Sequence, residues 1–388
     1  MTQLQVPKKG EWFAVIPDKI PEAVTEGDST LFDAITTTRL STVQEQRITG
    51  PERLFPQQEN VLAIHWHPEF VPMPLITKRI ETMYPDKCCS LIIPTQHNAV
   101  TTYGDYAGVE VDCYSRGFNQ KVQLLLHFVK ARLEKADLLK SILAHTFKYR
   151  SSQLFEFMHT ITKPVEARIA SAARETGANE ALIRFTRVYV KKIEQLLASK
   201  GGDLPPEMIK NKILRNFFDG LREQYGDPLI DRTQTYLKAV KTRVKAEFPL
   251  HYFYRTSEVI EEARALGAGI VIPHPEQFWP ILLADYDVDG IEVWNPQSRT
   301  YTEFLISVIN RKNRCGVGLS KRNLLIFMGD DTHMAEKTRD PAVQDPEKAS
   351  REIGFQPAWD DFSIRKALIR ANTSRGKVIQ EYKQRLGQ

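Results

Sequence analysis

Residues 61–70 read VLAIHWHPEF, an apolar run that stops at two histidines separated by one tryptophan. A short continuous run of Val, Leu and Ile predicts a strand buried on both faces, the kind found in parallel sheets covered by helices. The same pattern recurs along the chain. CSLIIP leads to His97, AGVEVDC surrounds Glu110, KVQLLLHF ends near His127, GAGIVIP precedes His274, DGIEVWN contains Glu292, and NLLIFMG precedes Asp330 and Asp331. Helical stretches such as TSEVIEEARALG (256–267) lie between several of these seven runs. Polar residues close nearly every run instead of gathering at one switch point, so the pattern predicts an α/β barrel rather than a doubly wound sheet.

The composition supports a folded protein: 388 residues at 42% hydrophobic and 10% aromatic content supply a core for one large domain or two to three ordinary ones. No apolar run reaches the roughly 20 residues that span a bilayer, and MTQLQVPKKGEWF lacks the apolar core of a signal peptide, so a soluble cytoplasmic chain with no membrane partner is expected. Cys88, Cys89, Cys113 and Cys315 have no CxxC spacing and predict neither a disulfide framework nor a cysteine zinc site. No P-loop, GxGxxG or GxSxG is present, which leaves triphosphate, dinucleotide and serine-hydrolase chemistry without support.

Residues 1–60 read as an N-terminal extension packing on the core, 61–127 and 251–333 as the two parts of the barrel, and 334–388 as a polar loop followed by helices. Between the barrel parts, residues 128–250 show long helical periodicity broken at KGGDLPP (200–206), as expected of an inserted helical domain. Charge is uneven: residues 121–270 carry 26 Lys and Arg against 17 Asp and Glu, although the whole chain is only +5. Such a surplus suits a polyanion such as nucleic acid, or an ordinary solvated helical surface.

In a parallel barrel the carboxyl ends of all strands meet on one face. His65, His67, His97, Glu110, His274, Glu292, Asp330, Asp331 and His333 would converge there, and they include five of the nine histidines. Strand periodicity puts the two imidazoles of HxH on one side, and a mixture of His, Asp and Glu suits Zn, Mn or Fe better than Ca or Mg. The expected site is a cluster of divalent ions that activates water and holds a phosphate. A carboxylate such as Glu110 among apolar neighbours is costly to bury without a cation. Arg116, in CYSRGFNQ, is expected to clamp a substrate phosphate. His145, His159 and His251 read as ordinary polar residues.

Six segments in order are HWH (65–67), TQHN (95–98), GVEV (108–111), IPHP (272–275), GIEVWN (290–295) and GDDTH (329–333). Together they resemble the PHP (polymerase and histidinol phosphatase) family of metal-dependent phosphoesterases. The resemblance implies a distorted seven-stranded (β/α) barrel of PHP type with a large helical insertion. It implies a phosphoric ester hydrolase in which a metal-bound water, rather than a side chain, attacks the ester. One ion would be held by His65, His67, Glu110 and Asp331. A second would share Glu110 and use His274, with a further ligand from KVQLLLHF that is either Gln123 or His127. A third would use His97 and His333 with a residue after the HxH, where PEFVPMP offers Glu69. Gln96 stands where the family has a carboxylate, so one or two ions are expected and three are possible. Glu292 and Asp330 are expected to support the ligands from behind. The alternative is a catalytically degenerate PHP-like module that binds nucleic acid or protein through its basic insert, and hydrolysis of a C–N bond would suit the same donors.

Overall fold

The computed structural model describes residues 20–316 and 322–387, and it divides the chain into two compact units. One comprises Arg39–Phe147 with Leu250–Gln388, the other Lys148–Pro249 with the N-terminal residues up to Thr38. None of the described helices is long and apolar enough to cross a membrane.

Among the described residues the first unit contains ten strands: β1 (Asn60–Ala63), β2 (Trp66–His67), β3 (Cys89–Ile92), β4 (Thr101–Tyr103), β5 (Tyr106–Ser115), β6 (Gln120–Val129), β7 (Gly269–Ile272), β8 (Gly290–Trp294), β9 (Leu325–Met328) and β10 (Thr332–His333). Each of the seven apolar runs forms one of them. Their pairing differs from the expected barrel. The six-stranded sheet has the order β4-β5-β6-β7-β8-β9, while β1 with β3 and β2 with β10 form two separate parallel pairs, so no closed barrel is present among the described residues. Only β7, β8 and β9 run parallel within the large sheet; β4 to β7 are antiparallel. The reason lies in loop length. Four residues, 116–119, join β5 to β6, whereas a parallel crossover needs about a dozen. Glu110 therefore sits in mid-strand opposite Leu125, not at a strand end.

Close backbone approach fixes β5 against its neighbours: a Cβ on Gly108 would lie 2.5 Å from Pro94 O, so only glycine fits. Val109, Val111 and Cys113 face the apolar core together with Leu139, Ile142 and Leu143 of the helix Asp137–Phe147. That helix belongs to the sheet unit, so the inserted helical unit begins at Lys148 rather than at 128. At the other end of the chain, helices Phe362–Arg370 and Arg375–Gly387 bury Leu368, Val378 and Tyr382 in the same core.

The second unit is helical, built from Tyr149–Thr162, Glu166–Thr176, Glu180–Lys200, Lys212–Gly220 and Asp227–Ala246. It also takes in Glu26–Thr36, which the sequence reading assigned to an extension on the barrel core. The i, i+1, i+4 stripe Leu31, Phe32 and Ile35 packs into the core of the helical unit, and Gly220 admits Leu31 where a Cβ would lie 2.3 Å from it. Asp28 at the start of that helix meets Lys192 at 2.8 Å in a buried ion pair. Residues 1–19 of the expected extension lie outside the described residues, and 39–60 belong to the sheet unit.

Candidate metal centre

β1 ends at Ala63, and the chain places His65 in the bend before β2 and His67 within it. The two rings lie 5.4 Å apart and nearly perpendicular. β2 pairs with β10 in parallel register, which puts His333 directly beside His67. An isolated bridge between His97 and Glu110 carries the end of the β3 segment onto the middle of β5. Asp331 N–H donates to His65 O at 2.8 Å and locks the turn after β9 against the bend after β1. Short-range backbone pairing thus gathers residues from four chain segments.

Backbone strain is concentrated here. Among the described residues, four of the six non-glycine residues with positive φ are Glu69 (52°), Asn98 (53°), His274 (29°) and Asp331 (47°). Such conformations persist only where surrounding contacts over-determine them, and they cluster at functional sites. For His274 the restraint is visible: its N–H donates to Glu292 Oε2 at 2.9 Å, and Pro275 follows.

The donor atoms converge on two overlapping groups. His65 Nε2 lies 3.9 Å from Glu110 and 3.7 Å from Asp331; His67 Nε2 lies 3.8 Å from Glu110 and 3.3 Å from Asp331. Ligand atoms about 2.1 Å from one tetrahedral ion are about 3.4 Å from each other; His65, His67 and Glu110 offer atoms that all lie within 4.8 Å of one another, and Asp331 Oδ1 stands beside both histidines. His274 Nε2 reaches the same Glu110 from another side at 3.3 Å. His97 Nδ1 also contacts Glu110. His67, His97 and His333 form the second group, with the His67 ring stacked at 4.3 Å on each of the other two. Glu69 Oε1 approaches His333 Nδ1 at 3.7 Å, while its Oε2 accepts from Ala335 N–H at 2.9 Å.

Two observations point to a cation. His67 is fully buried, yet neither ring nitrogen has a hydrogen-bond partner, a costly state for an imidazole unless an ion takes its lone pair. Burial raises the cost of charge on Glu110 and Asp331, but the surrounding histidines outweigh it and hold both carboxyls well below the usual range. Burial opposes protonation of His65 too, and the charges of Glu292, Asp331 and Glu110 overcome it, raising the group to about 10. Burial prevails at His67, with His333 and His97 adding repulsion, and lowers it to about 3. Burial is likewise outweighed at His333, where Asp331 and Glu69 raise the imidazole to about 9. Without an ion, protons must carry the positive charge that the two carboxylates demand.

Glu292 and Asp330 back this group. Glu292, buried in β8, accepts from His65 Nδ1 at 2.7 Å, which fixes the tautomer and turns Nε2 toward the carboxylates. Asp330 accepts from Gly354 N–H and Thr332 N–H at 2.9 and 3.2 Å and supports the turn. Burial raises it to about 7.

Several expected residues lie elsewhere. His127 is engaged on both ring nitrogens, with Tyr382 Oη at 2.7 Å and Ile64 O at 2.9 Å, so it has no lone pair for an ion. It shares a sheet face with Glu110, but its ring anchors the C-terminal helix to the end of β1. Gln123 lies on that face opposite Asp112, two residues from the level of Glu110. Arg116 is exposed and lines a separate cleft with Tyr114, His145 and Tyr254. Six residues along β5 place it roughly 20 Å from Glu110.

The arginine at the site is Arg351, from the polar loop: its Nη1 donates to Asp331 Oδ2 at 2.7 Å and to Asp331 O at 3.1 Å. Nothing in the spacing of SREIGF announces that role. Glu276, two residues past His274, was also missed; its Oε1 accepts from Asn295 at 3.0 Å while Oε2 is buried without a partner.

No protein-family model and no curated protein sequence matches the chain. Among solved structures, a provisionally assigned metal-dependent phosphoesterase from Bifidobacterium adolescentis is similar over 89% of this chain and 91% of its own, at 16% identity and a TM-score of 0.37. So distant a likeness carries no residue roles.

Proposed function

We propose that the sheet unit is a metal-dependent phosphoesterase of the PHP type. The observation that carries the reading is that Glu110 and Asp331 both stand 3.3–3.9 Å from the imidazoles of His65 and His67, and that the buried His67 ring lacks any hydrogen bond. These four residues would hold the principal ion, and His274 would add a neighbouring position across Glu110. His97, His333 and Glu69 would supply a third. Imidazole and carboxylate donors together suit Zn, Mn or Fe. When bound, such ions lower the pKa of a water and polarise a phosphoryl oxygen.

The chain's own residues do the positioning. Glu292 holds the proton of His65 on Nδ1 and so keeps Nε2 available. Arg351 fixes the carboxylate of Asp331 and occupies one of its oxygens, which leaves Oδ1 directed at His65, His67 and His333. Buried walls built from β1, β5 and β9 limit water around these donors. A phosphate ester, whose anionic oxygens such a site can hold, is the substrate class these donors favour.

The test is release of phosphate or nitrophenol from p-nitrophenyl phosphate and bis-p-nitrophenyl phosphate after loading with Mn or Zn. Turnover that chelation and His67→Ala both remove supports the reading; turnover indifferent to both overturns it.

A further inference from the structure

A second concentration of chemistry lies wholly within the helical unit. A cleft of about 510 Å3 opens between the helices Tyr149–Thr162, Lys212–Gly220 and Asp227–Ala246. Asp231, Gln234, Thr235, Lys238 and Lys241 recur at three- and four-residue intervals and so form one stripe of the last helix along its wall. Arg215 faces them from the helix Lys212–Gly220.

Acids near the cleft already have cationic partners. Asp231 pairs with Arg222 at 2.8 Å. Asp219 accepts from Gln234 at 2.7 Å and from Arg222 at 3.1 Å, and lies 3.8 Å from Arg215. Lys238 and Lys241 have no anionic partner among the described residues. Like charges at this helical spacing repel. Burial lowers the Lys241 amine, and Lys238 and Arg215 lower it further, so the three cations share one recess.

We propose that Arg215, Lys238 and Lys241 form a phosphate-binding cleft for a nucleotide-sized phosphate ester. A guanidinium fork and two ammonium groups match the several oxygens and the double charge of a phosphate monoester better than a single carboxylate. This site is separate from the metal centre and does not depend on it.

The full chain, kept metal-free with chelator so that the other centre holds no phosphate, is titrated calorimetrically with AMP, inorganic phosphate and adenosine. The expected result is one equivalent of AMP bound, displaced by phosphate, with no uptake of adenosine. Binding weakens as salt rises. The Lys238→Gln/Lys241→Gln variant is expected to bind AMP roughly tenfold more weakly or worse. Lys238→Gln alone, at an exposed position, gives a smaller loss and serves if the double variant does not fold. Equal AMP affinity in wild type and the Lys238→Gln variant, equal binding of adenosine and AMP, or no uptake at about 1 mM AMP each overturns the proposal.

Discussion

Replacing Glu292 with glutamine removes one charge and almost no volume, and it reaches the metal centre only through other residues. Glu292 presents two acceptors to two donors: Oε1 to His65 Nδ1 at 2.7 Å and Oε2 to His274 N at 2.9 Å. An amide has one acceptor and one donor group. If its oxygen stays on the His274 N–H, its NH2 meets His65 Nδ1, which must become the acceptor and move the proton to Nε2, the atom needed by an ion. If its oxygen stays on His65, the NH2 opposes the His274 N–H in a buried position. Either arrangement costs about 1–3 kcal/mol for the unmade bond. The expected loss of metal affinity is about 10–100-fold, or about 1.4–2.7 kcal/mol. Competition against a calibrated chelator measures it, with circular dichroism as the check on folding. Gly329→Ala provides an independent route, since its Cβ would lie 1.8 Å from Glu292 Oε1 and push that carboxylate off His65. Wild-type affinity in a folded Glu292→Gln protein would refute the claim that Glu292 sets the His65 tautomer.

Other outcomes follow from the same geometry. His127→Gln should leave metal content unchanged and lower stability by about 1–3 kcal/mol, because both bonds of His127 are structural; lost metal with unchanged stability would reverse that assignment. Arg351→Met should leave one oxygen of Asp331 without its partner and weaken metal binding, read as a raised metal requirement for turnover; an unchanged requirement contradicts the positioning role. His65, raised to about 10 in the metal-free protein, must release its proton to an ion, so apparent affinity should rise by about one log unit per pH unit from pH 6 to 8. A flat profile in competitive chelation would show that His65 binds no ion. In stability the sign is opposite: a raised imidazole stabilises the metal-free fold below about pH 6.5 and that contribution fades as pH rises through about 10. Asp28→Asn leaves Lys192 charged and buried, and should destabilise the helical unit by about 3–5 kcal/mol in denaturant melts. Burial opposes the charge on Asp28, but Lys192 and Thr25 hold its carboxyl below the usual value, so this stability is present above about pH 4 and is lost on acidification below it.

The strands and the donors were readable because each leaves a local signature. A buried run of Val, Ile and Leu ending at HWH, IPHP or GDDTH states both the element and the side chains at its end, and all seven runs are strands. Pairing was harder to read. The seven residues between AGVEVDC and KVQLLLHF are too few for a parallel crossover and require a hairpin, whereas the polar residues inside those runs read as strand ends. That misreading also kept His127 among the candidates, although its ring is saturated by Tyr382, 255 positions away in sequence. Arg351 was unreadable for a related reason. Its contact with Asp331 depends on how the polar loop folds back, and no periodicity encodes that. The helix Glu26–Thr36 shows a clear amphipathic stripe, yet a stripe does not name the core it joins; only Gly220 and Lys192, far along the chain, settle its partner.

The central claim is that His65, His67, Glu110 and Asp331 hold an ion. Diffraction from metal-loaded crystals, recorded on both sides of the Zn and Mn absorption edges, tests it most directly. The account predicts an anomalous peak about 2.0–2.3 Å from His65 Nε2, His67 Nε2 and one oxygen each of Glu110 and Asp331. A loaded crystal with no peak among those four residues, or with its metal at His127, would contradict it.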